Sequence, residues 1–375
     1  MKILKTAPLK YTLLKLFLIV LILAFSQQPA LSINNIKRVI NLSLNENPFP
    51  QSKEVNESIL KELPGISRYS AVDGENFVKQ LAIQEGVSNE QIIPGEILDL
   101  LGIYLGLKGG NGGEFIYSVP GYPALVNAAE TVGGKILSIP LNAKLENDLE
   151  SIETHITTKT QAVFLVNPHN PSGTVIDKQL FHDFVKRVSK RTLVIVDEAY
   201  LEYTDDFAGR TAVNNVREGD QVIVFRTFAK AYGLAGLSIG YAIAPTDLAH
   251  SLKAQGLGDT HALNRLSIVA AEAALKDQEN IQYVNKVVAA ERDKWNVFLD
   301  KSGLQHTASN ANFVFFDTKV PYEEVRKKLE EAGILIGREF KPYTTWIRIS
   351  IGLPEDNAQV RSVIQEIISN NKSGR

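Results

Sequence analysis

Three short apolar runs, each followed directly by a polar cluster, constrain the fold of this chain more than any other feature. They are AVFLV (162–166) before NPHNPSG, LVIV (193–196) before DEAY, and VIVF (222–225) before RTFAKAYGLAG. Runs this short and this rich in β-branched residues predict buried strands, and helical patterns such as DKQLFHDFVKRVSKR (177–191) lie between or around them. This alternation predicts a mainly parallel sheet that is covered by helices on both faces.

The polar clusters at the strand ends are candidates for one shared site, because ligands bind outside the carboxyl ends of the strands in such sheets. Each side chain also has an ordinary structural explanation, as a turn residue, a strand-end cap, a core aromatic or a solvated charge. Together, however, an amide, a carboxylate, a phenol, a hydroxyl and an amine are the groups needed to hold a phosphorylated hydroxypyridine aldehyde. The five residues are Asn170, Asp197, Tyr200, Thr227 and Lys230.

Each group suits one part of such an aldehyde. The amine can form a Schiff base with the aldehyde carbon. A carboxylate beside the ring nitrogen keeps that nitrogen protonated, so the ring can withdraw electrons from a carbanion. A phenol and an amide can donate hydrogen bonds to the ring oxygen, while hydroxyl groups and the N–H groups at a helix start can bind the phosphate.

The order of NPHNPSG, DEAY, TFAKAYGLAG and WIRISIG resembles that of the fold-type-I pyridoxal-phosphate enzymes in the class I/II aminotransferase group, and most of all the histidinol-phosphate aminotransferases. The resemblance extends from LSLNENPFP (42–50) to the C-terminus. It implies an α/β fold with a three-layer, mainly parallel sheet in a large domain of the pyridoxal-phosphate-transferase type, and a smaller α+β domain. It also implies a transaminase of amino-acid metabolism that uses pyridoxal 5'-phosphate to move an amino group from an amino acid or amino phosphate to a 2-oxo acid.

The resemblance implies a role for each residue at the strand ends. Lys230 is the Schiff-base lysine and the acid and base of the proton shift. Asp197 is the partner of the ring nitrogen. Tyr200 and Asn170 bind the ring oxygen, and Thr227 binds the phosphate.

Four further residues match the family pattern elsewhere in the chain. Tyr122 in VPGYPAL is expected to stack on the cofactor ring, although a half-buried core tyrosine is nearly as good an interpretation. Tyr69 in SRYSAVDG resembles a tyrosine that reaches the phosphate of the neighbouring subunit, which implies a homodimer with shared active sites. Arg348 in WIRIS resembles the arginine that binds the substrate carboxylate through two parallel hydrogen bonds, and Asn47 in LNENP is expected near the substrate.

The sequence departs from the family pattern around the phosphate. The glycine-rich segment is shortened to IIPGEILDLLG, in which Gly95 and Glu96 are the candidate phosphate contacts. Ser238 stands where the family usually has an arginine. The chain therefore lacks one charge-assisted contact, which is typically worth ~1.5 to 3 kcal/mol. Arg226 is the candidate replacement for this cation. Arg338 lies one place away from the expected second substrate arginine, so the sequence does not identify the substrate.

The N-terminus has the composition of a secretory signal peptide. Four lysines up to Lys15 precede an apolar run from Leu16 to Phe25, and small-residue patterns end at Ser32. The run is well short of the roughly 20 residues of a membrane-spanning helix. Residues 1–32 are therefore predicted to direct export to the periplasm or the medium. The alternatives are an uncleaved membrane anchor, which would be the chain's one contact with a membrane, and a buried N-terminal helix.

Length and composition limit the remaining possibilities. A chain of 375 residues exceeds the usual size of a single core. We predict an N-terminal segment (33–64) that joins the small domain, a large cofactor-binding domain (65–270) and a small C-terminal domain (271–375), with NANFVFFDT (310–318) and TWIRISIG (345–352) as strands of the small domain. The balance of 40 basic and 42 acidic residues gives no indication of nucleic-acid binding. The absence of cysteine excludes thiolate metal ligands. We predict no metal site.

Two alternative functions remain at the level of sequence. A pyridoxal-phosphate-dependent decarboxylase of the phosphothreonine type shares the fold and the motifs. An exported binding protein that has lost catalysis is suggested by Ser238 and the signal segment. The retention of Lys230, Asp197, Asn170 and Tyr200 argues against that second alternative.

Overall fold

A computed structural model describes residues 38–373 of the chain. The chain divides into two compact units, Met1–Val39 and Ile40–Arg375, and the strands and helices of the described residues all belong to the second. The predicted signal segment at 1–32 lies outside the described residues. Within residues 38–373, no helix is both long enough and apolar enough to cross a membrane.

Short strands occur throughout the second unit. Those of the described residues are β1 (Ile40–Leu42), β2 (Ile92–Pro94), β3 (Glu114–Val119), β4 (Lys135–Pro140), β5 (Thr160–Val166), β6 (Leu193–Asp197), β7 (Val222–Thr227), β8 (Gly240–Ile243), β9 (Phe313–Asp317), β10 (Ile334–Ile336) and β11 (Trp346–Ser350).

Helices alternate with most of these strands. Those of the described residues are α1 (Lys53–Glu62), α2 (Ala71–Glu85), α3 (Leu98–Gly109), α4 (Ala124–Glu130), α5 (Leu149–Thr154), α6 (Lys178–Val188), α7 (Phe207–Arg210), α8 (Val213–Arg217), α9 (Thr246–Lys253), α10 (Arg265–Lys276), α11 (Gln278–Ser302), α12 (Tyr322–Glu331) and α13 (Pro354–Ser373).

Seven strands form the central sheet, in the order β2-β8-β7-β6-β5-β3-β4. The five strands β3 to β7 run parallel to one another, whereas β8 is antiparallel to both β7 and β2. Nearly every residue of β5, β6 and β7 is buried. These strands lack the alternation of apolar and polar residues that is typical of a sheet with one solvent-exposed face, because helices cover both of their faces.

The two faces of the sheet contribute to two separate hydrophobic cores. Phe164 and Ile195 belong to one core, while their chain neighbours Val163 and Val194 belong to the other, because successive side chains of a strand point to opposite faces. Helix α3 packs into the first core and α6 into the second. Asp177, directly before α6, caps this helix, since its side chain accepts two backbone N–H bonds. The prediction of a three-layer α/β fold is confirmed.

Two further sheets of the described residues have two strands each, and one of them joins the N-terminal segment to the C-terminal part of the chain. Strand β1 pairs in parallel with β10, and β9 pairs antiparallel with β11. The strands expected within 310–318 and 345–352 are thus present as β9 and β11. Strand β1 pairs with the C-terminal part of the chain, while the predicted domains, including the segment 33–64, stay predictions.

Candidate active site

A cavity of about 690 Å³ lies at the carboxyl ends of the three central parallel strands. The last residues of β5, β6 and β7, which are Val166, Asp197 and Thr227, all line it. Since these strands are parallel neighbours, their polar extensions converge on one edge of the sheet. The cavity is therefore at the position that the strand pattern predicts.

Most of the residues proposed from the sequence line this cavity, and three do not. Those that line it are Glu96, Tyr122, Asn170, Asp197, Tyr200, Thr227, Lys230 and Arg348. The other three are Gly95, Tyr69 and Asn47.

Each of these three residues has a different environment. Gly95 has a φ of 111° and donates its backbone N–H to the carbonyl of Gly240 at 2.7 Å. Asn47 donates from Nδ2 to the carbonyl of Ala231 at 2.9 Å. Tyr69 is 87% exposed, so a contact with a cofactor depends on a second subunit. The roles assigned to these residues stay predictions.

The hydroxyl group of Tyr200 accepts two hydrogen bonds from amides. Asn45 Nδ2 donates to it at 3.1 Å and Asn170 Nδ2 at 3.2 Å. A phenolic hydroxyl has one proton and about two acceptor positions. Because the two amides occupy the acceptor positions, the proton of Tyr200 can be donated to a group in the cavity.

Asn45 is a site residue that the sequence prediction missed. It is 1% exposed and has a φ of 56°, a left-handed conformation that asparagine tolerates better than most residues. Its backbone N–H donates to Ser350 Oγ at 2.9 Å. The motif LNENP offers two asparagines, and the structure gives Asn45, rather than Asn47, the contact with Tyr200.

Lys230 and Asp197 provide the amine and the carboxylate of the cavity. Lys230 Nζ donates to the carbonyl of Leu44 at 3.2 Å and lies 6.0 Å from the centroid of the Tyr200 ring. Asp197 accepts one hydrogen bond from the N–H of Ala199 at 3.0 Å. Burial raises the pKa of Asp197 to about 6, although the bond from Ala199 and the charge of Lys230 act in the opposite direction. Asp197 is therefore mainly ionised at neutral pH.

Arg348 is positioned by strand β11 and by two hydrogen bonds across the cavity. Its Nη1 donates to Asn170 Oδ1 at 2.7 Å and its Nη2 to the carbonyl of Ser43 at 2.5 Å. Its Nε has no hydrogen-bond partner among the described residues. Burial lowers the pKa of Arg348 to about 10, so the side chain stays charged at neutral pH. A Cβ at Gly337 would lie 3.0 Å from Nη2, so this glycine allows the guanidinium to approach closely.

Glu96 and Thr227 form a second polar group in the cavity. Thr227 Oγ1 donates to Glu96 Oε1 at 2.6 Å and accepts the N–H of Ala229 at 3.1 Å. Burial raises the pKa of Glu96, while the hydrogen bond from Thr227 and the charge of Lys230 lower it. An acidic side chain thus lies at the residue expected to bind the phosphate.

Arg226 does not replace the missing phosphate arginine. Its Nε lies 2.9 Å from Glu198 Oε2, and two further carboxylates, of Glu85 and Glu202, lie 3.8 Å from its other nitrogens. Its Nη2 also donates to Thr211 Oγ1 at 2.9 Å. The expectation that Arg226 supplies the cation is not supported, because its guanidinium is already neutralised by buried acids.

Two more side chains border the cavity from the surface. Tyr122 is 42% exposed, and burial together with the negative charge of Asp197 raises its pKa to about 12. Its phenol is therefore neutral at physiological pH. Arg338 Nη2 donates to the carbonyl of Gly121 at 3.0 Å, and its guanidinium lies 4.5 Å from the centroid of the Phe340 ring.

The comparison with known proteins agrees with this geometry. The family model "Aminotransferase class I and II" matches residues 37–367. The chain belongs to this family. The predictions of an aminotransferase and of its fold are thereby confirmed.

Individual relatives of this aminotransferase cover most of its length. It is 32% identical over 334 residues to the histidinol-phosphate aminotransferase of Lactiplantibacillus plantarum, an alignment with 88% of this chain and 92% of the relative. The solved histidinol-phosphate aminotransferase of Sinorhizobium meliloti, a complex with pyridoxal-5'-phosphate, aligns with a TM-score of 0.80 at 27% identity, over 88% of this chain and 91% of that one.

The fold is also shared with an enzyme of the alternative class. The L-threonine-O-3-phosphate decarboxylase of Porphyromonas gingivalis aligns with a TM-score of 0.72 at 19% identity, over 88% of this aminotransferase and 100% of that chain. At that identity the likeness concerns the fold alone. Within residues 38–373, no group of three or more histidine, aspartate or glutamate residues has the arrangement of a metal site.

Proposed function

We propose that this aminotransferase uses pyridoxal 5'-phosphate to transfer the amino group of an amino phosphate of the histidinol-phosphate type to a 2-oxo acid. The observation that carries the proposal is the convergence of Lys230, Asp197 and Tyr200 on one cavity at the carboxyl ends of adjacent strands. The relatives named for histidinol phosphate, which align along most of the chain, support the substrate class.

The donors and acceptors of the cavity fit the ring of this cofactor. The buried carboxylate of Asp197 would hold the proton at the ring nitrogen, and the free hydroxyl proton of Tyr200 would be donated to the ring oxygen. Lys230 Nζ would hold the cofactor covalently. When bound, pyridoxal phosphate supplies a protonated ring that withdraws electrons from the reacting carbon of the substrate.

The side chains around the cofactor then have distinct tasks. Lys230 Nζ would remove the proton from the reacting carbon of the substrate and return it to the cofactor carbon that carried the aldehyde. Arg348 would bind an anionic group of the substrate, and its unpaired Nε offers a further donor to that group. Asn170 contacts both Arg348 and Tyr200, so it couples the orientation of the substrate-binding arginine to that of the phenol.

The test is to supply the protein with pyridoxal phosphate, a panel of amino donors that includes histidinol phosphate and phosphothreonine, and a 2-oxo acid. We expect the amino group to appear on the 2-oxo acid without release of carbon dioxide. Lys230→Ala should abolish the transfer, and Lys178→Ala, which changes a surface lysine paired with Asp206, should not. Release of carbon dioxide from phosphothreonine would instead establish the decarboxylase, and cofactor binding without turnover would establish the binding protein.

We also propose that two copies of the chain form a dimer with shared active sites. Tyr69 is 87% exposed and lies in a stretch with other exposed apolar side chains, among them Leu60, Ile66 and Val72. The test is to mix and reassemble two inactive variants, Lys230→Ala and Tyr69→Ala. If the sites are shared, mixed dimers regain one complete site and part of the activity. No recovery in dimers that have exchanged subunits would refute the sharing.

Export remains a proposal that rests on the sequence of residues 1–32. Protein from the native host is expected to begin near Gln27 or Ile33 and to lie outside the cytoplasmic membrane. An intact Met1 on a soluble cytoplasmic protein would refute export, whereas an intact Met1 on a membrane-bound protein would indicate the anchor.

A further inference from the structure

The Thr227 end of the cavity brings an acidic group, Glu96, into contact with the Thr227 hydroxyl. Glu96 is open to the cavity, and its Oε1 accepts the only proton of the Thr227 hydroxyl, at 2.6 Å. The same hydroxyl oxygen accepts the N–H of Ala229 at 3.1 Å. The hydroxyl therefore has no second proton for an anion that enters this end of the cavity.

The cationic side chains that line the cavity are largely engaged elsewhere. Arg226 pairs with buried carboxylates, Arg338 donates to the carbonyl of Gly121, and Arg348 donates to Asn170 and Ser43. The remaining cation is Lys230, whose charge acts on Glu96 and whose amine is needed for the cofactor aldehyde. Within residues 38–373, no guanidinium of the lining residues forms an ion pair with Glu96.

We propose that Glu96 takes up one proton from solvent when the phosphate group of the cofactor binds beside Thr227. This inference rests on the proposed function, which locates the phosphate at Thr227. If a phosphate oxygen accepts the Thr227 hydrogen bond, the Glu96 carboxylate loses its donor. The phosphate also brings a second negative charge next to Glu96, and two adjacent anions disfavour ionisation of both groups. Protonated Glu96 becomes a donor instead, so one proton enters, and no covalent bond is made or broken.

The surroundings of Glu96 favour this protonation. Burial already raises its pKa, and the largest opposing contribution is the hydrogen bond from Thr227, which the phosphate would take over. The charge of Asp197, which interacts with that of Glu96, acts in the same direction as the phosphate, and the charge of Lys230 acts against it. The titratable and charged residues that line the cavity together with Glu96 are Glu46, Asp99, Tyr122, Asp197, Tyr200, Arg226, Lys230, Arg338 and Arg348.

The test measures proton uptake rather than turnover. Cofactor-free protein is titrated calorimetrically with pyridoxamine 5'-phosphate, which has no aldehyde to react with Lys230, in buffers of different ionisation heat from about pH 6 to about pH 9. The variant is Glu96→Gln, which keeps the size of the side chain but cannot take up the proton. Glu218→Gln is the matched control, because Glu218 is a surface glutamate that pairs with Lys186 and does not line the cavity.

At the alkaline end of the range, we expect the wild type to take up close to one more proton on ligand binding than Glu96→Gln. There the dissociation constant of the wild type should rise by up to about tenfold per pH unit relative to that of Glu96→Gln, and the two should converge at acidic pH. Glu218→Gln should follow the wild type. Equal proton uptake and parallel affinity profiles in wild type and Glu96→Gln would overturn the inference.

Pyridoxamine without phosphate separates this inference from the proposed function. Its affinity is expected to be weaker than that of the phosphorylated compound and equal in wild type and Glu96→Gln. If phosphate adds no affinity at any pH, the proposed phosphate position is wrong and the inference fails with it. If phosphate adds affinity but Glu96→Gln changes nothing, only the inference fails.

Discussion

The substitution Asp197→Asn is expected to stabilise the cofactor-free protein while it slows catalysis. Asp197 is 7% exposed, at the end of β6, and its carboxylate accepts one backbone N–H bond, from Ala199. Burial of a carboxylate with so few donors disfavours its charged form. Asparagine keeps the shape and the acceptor for Ala199, and it removes the buried charge.

The size of the effect follows from the pKa of the folded protein. Burial raises the pKa of Asp197 from 3.8 to about 6, and each pH unit corresponds to about 1.4 kcal/mol. Ionised Asp197 therefore costs the folded state about 3 kcal/mol. Because the folded state binds the proton more tightly than the unfolded state, this cost is absent below a pH of about 3.8, grows between 3.8 and about 6, and is constant above that.

The measurement is urea unfolding of the cofactor-free wild type and Asp197→Asn at several pH values between about 4 and about 8. We expect similar stability at the acidic end and an advantage of about 3 kcal/mol for Asp197→Asn above a pH of about 6. Asp99→Asn, an exposed control in the same cavity, should change stability by less than about 0.5 kcal/mol. A pH-independent difference, or a less stable Asp197→Asn at neutral pH, would refute the electrostatic reasoning. In the loaded enzyme the same substitution should lower kcat far more than it weakens substrate binding.

Three further substitutions test other parts of the site. Lys230→Ala should abolish transamination and leave no cofactor on the denatured chain after borohydride reduction, which mass spectrometry detects; near-normal turnover would exclude its catalytic role. Ser238→Arg should tighten pyridoxal-phosphate binding by up to ~1.5 to 3 kcal/mol in a fluorescence titration, through a charge-assisted contact that weakens with salt; unchanged affinity in a folded variant would mean that the phosphate is held in another way. Asn45→Ala removes a donor to Tyr200 and should lower kcat and cost about 1 to 2 kcal/mol of stability; kinetics identical to wild type would exclude Asn45 from the site.

Much of the fold was predictable because local patterns determine it. Strands β5, β6 and β7 are buried on both faces, so their apolar runs and the polar residues that follow them stand out in the sequence. The carboxyl ends of neighbouring parallel strands lie at the same edge of the sheet, and this alone brings Asn170, Asp197 and Lys230 to one cavity. The alternation of two cores along each strand likewise follows from the two-residue period of a strand.

The unpredicted parts of the site depend on contacts between distant segments. Asn45 reaches Tyr200 across 155 residues from a left-handed backbone position, and neither its conformation nor its partner is visible in LNENP. Glu96 meets Thr227 across 131 residues. The sequence marks Arg226 as a cation close to the site, but only the fold reveals the buried acids that neutralise it.

The hydrogen bond from Arg348 to the carbonyl of Ser43 joins residues 305 positions apart, and this separation has a consequence for biosynthesis. On the ribosome, Lys230, Asp197 and Tyr200 emerge well before β11, so a nascent chain can bring these three side chains together while Arg348 is still missing. Loop closure over such a distance is also slow. The Arg348 side of the cavity is therefore completed only after β11 has emerged, and a chain truncated before β11 would retain Lys230, Asp197 and Tyr200 without the arginine that we propose binds the substrate.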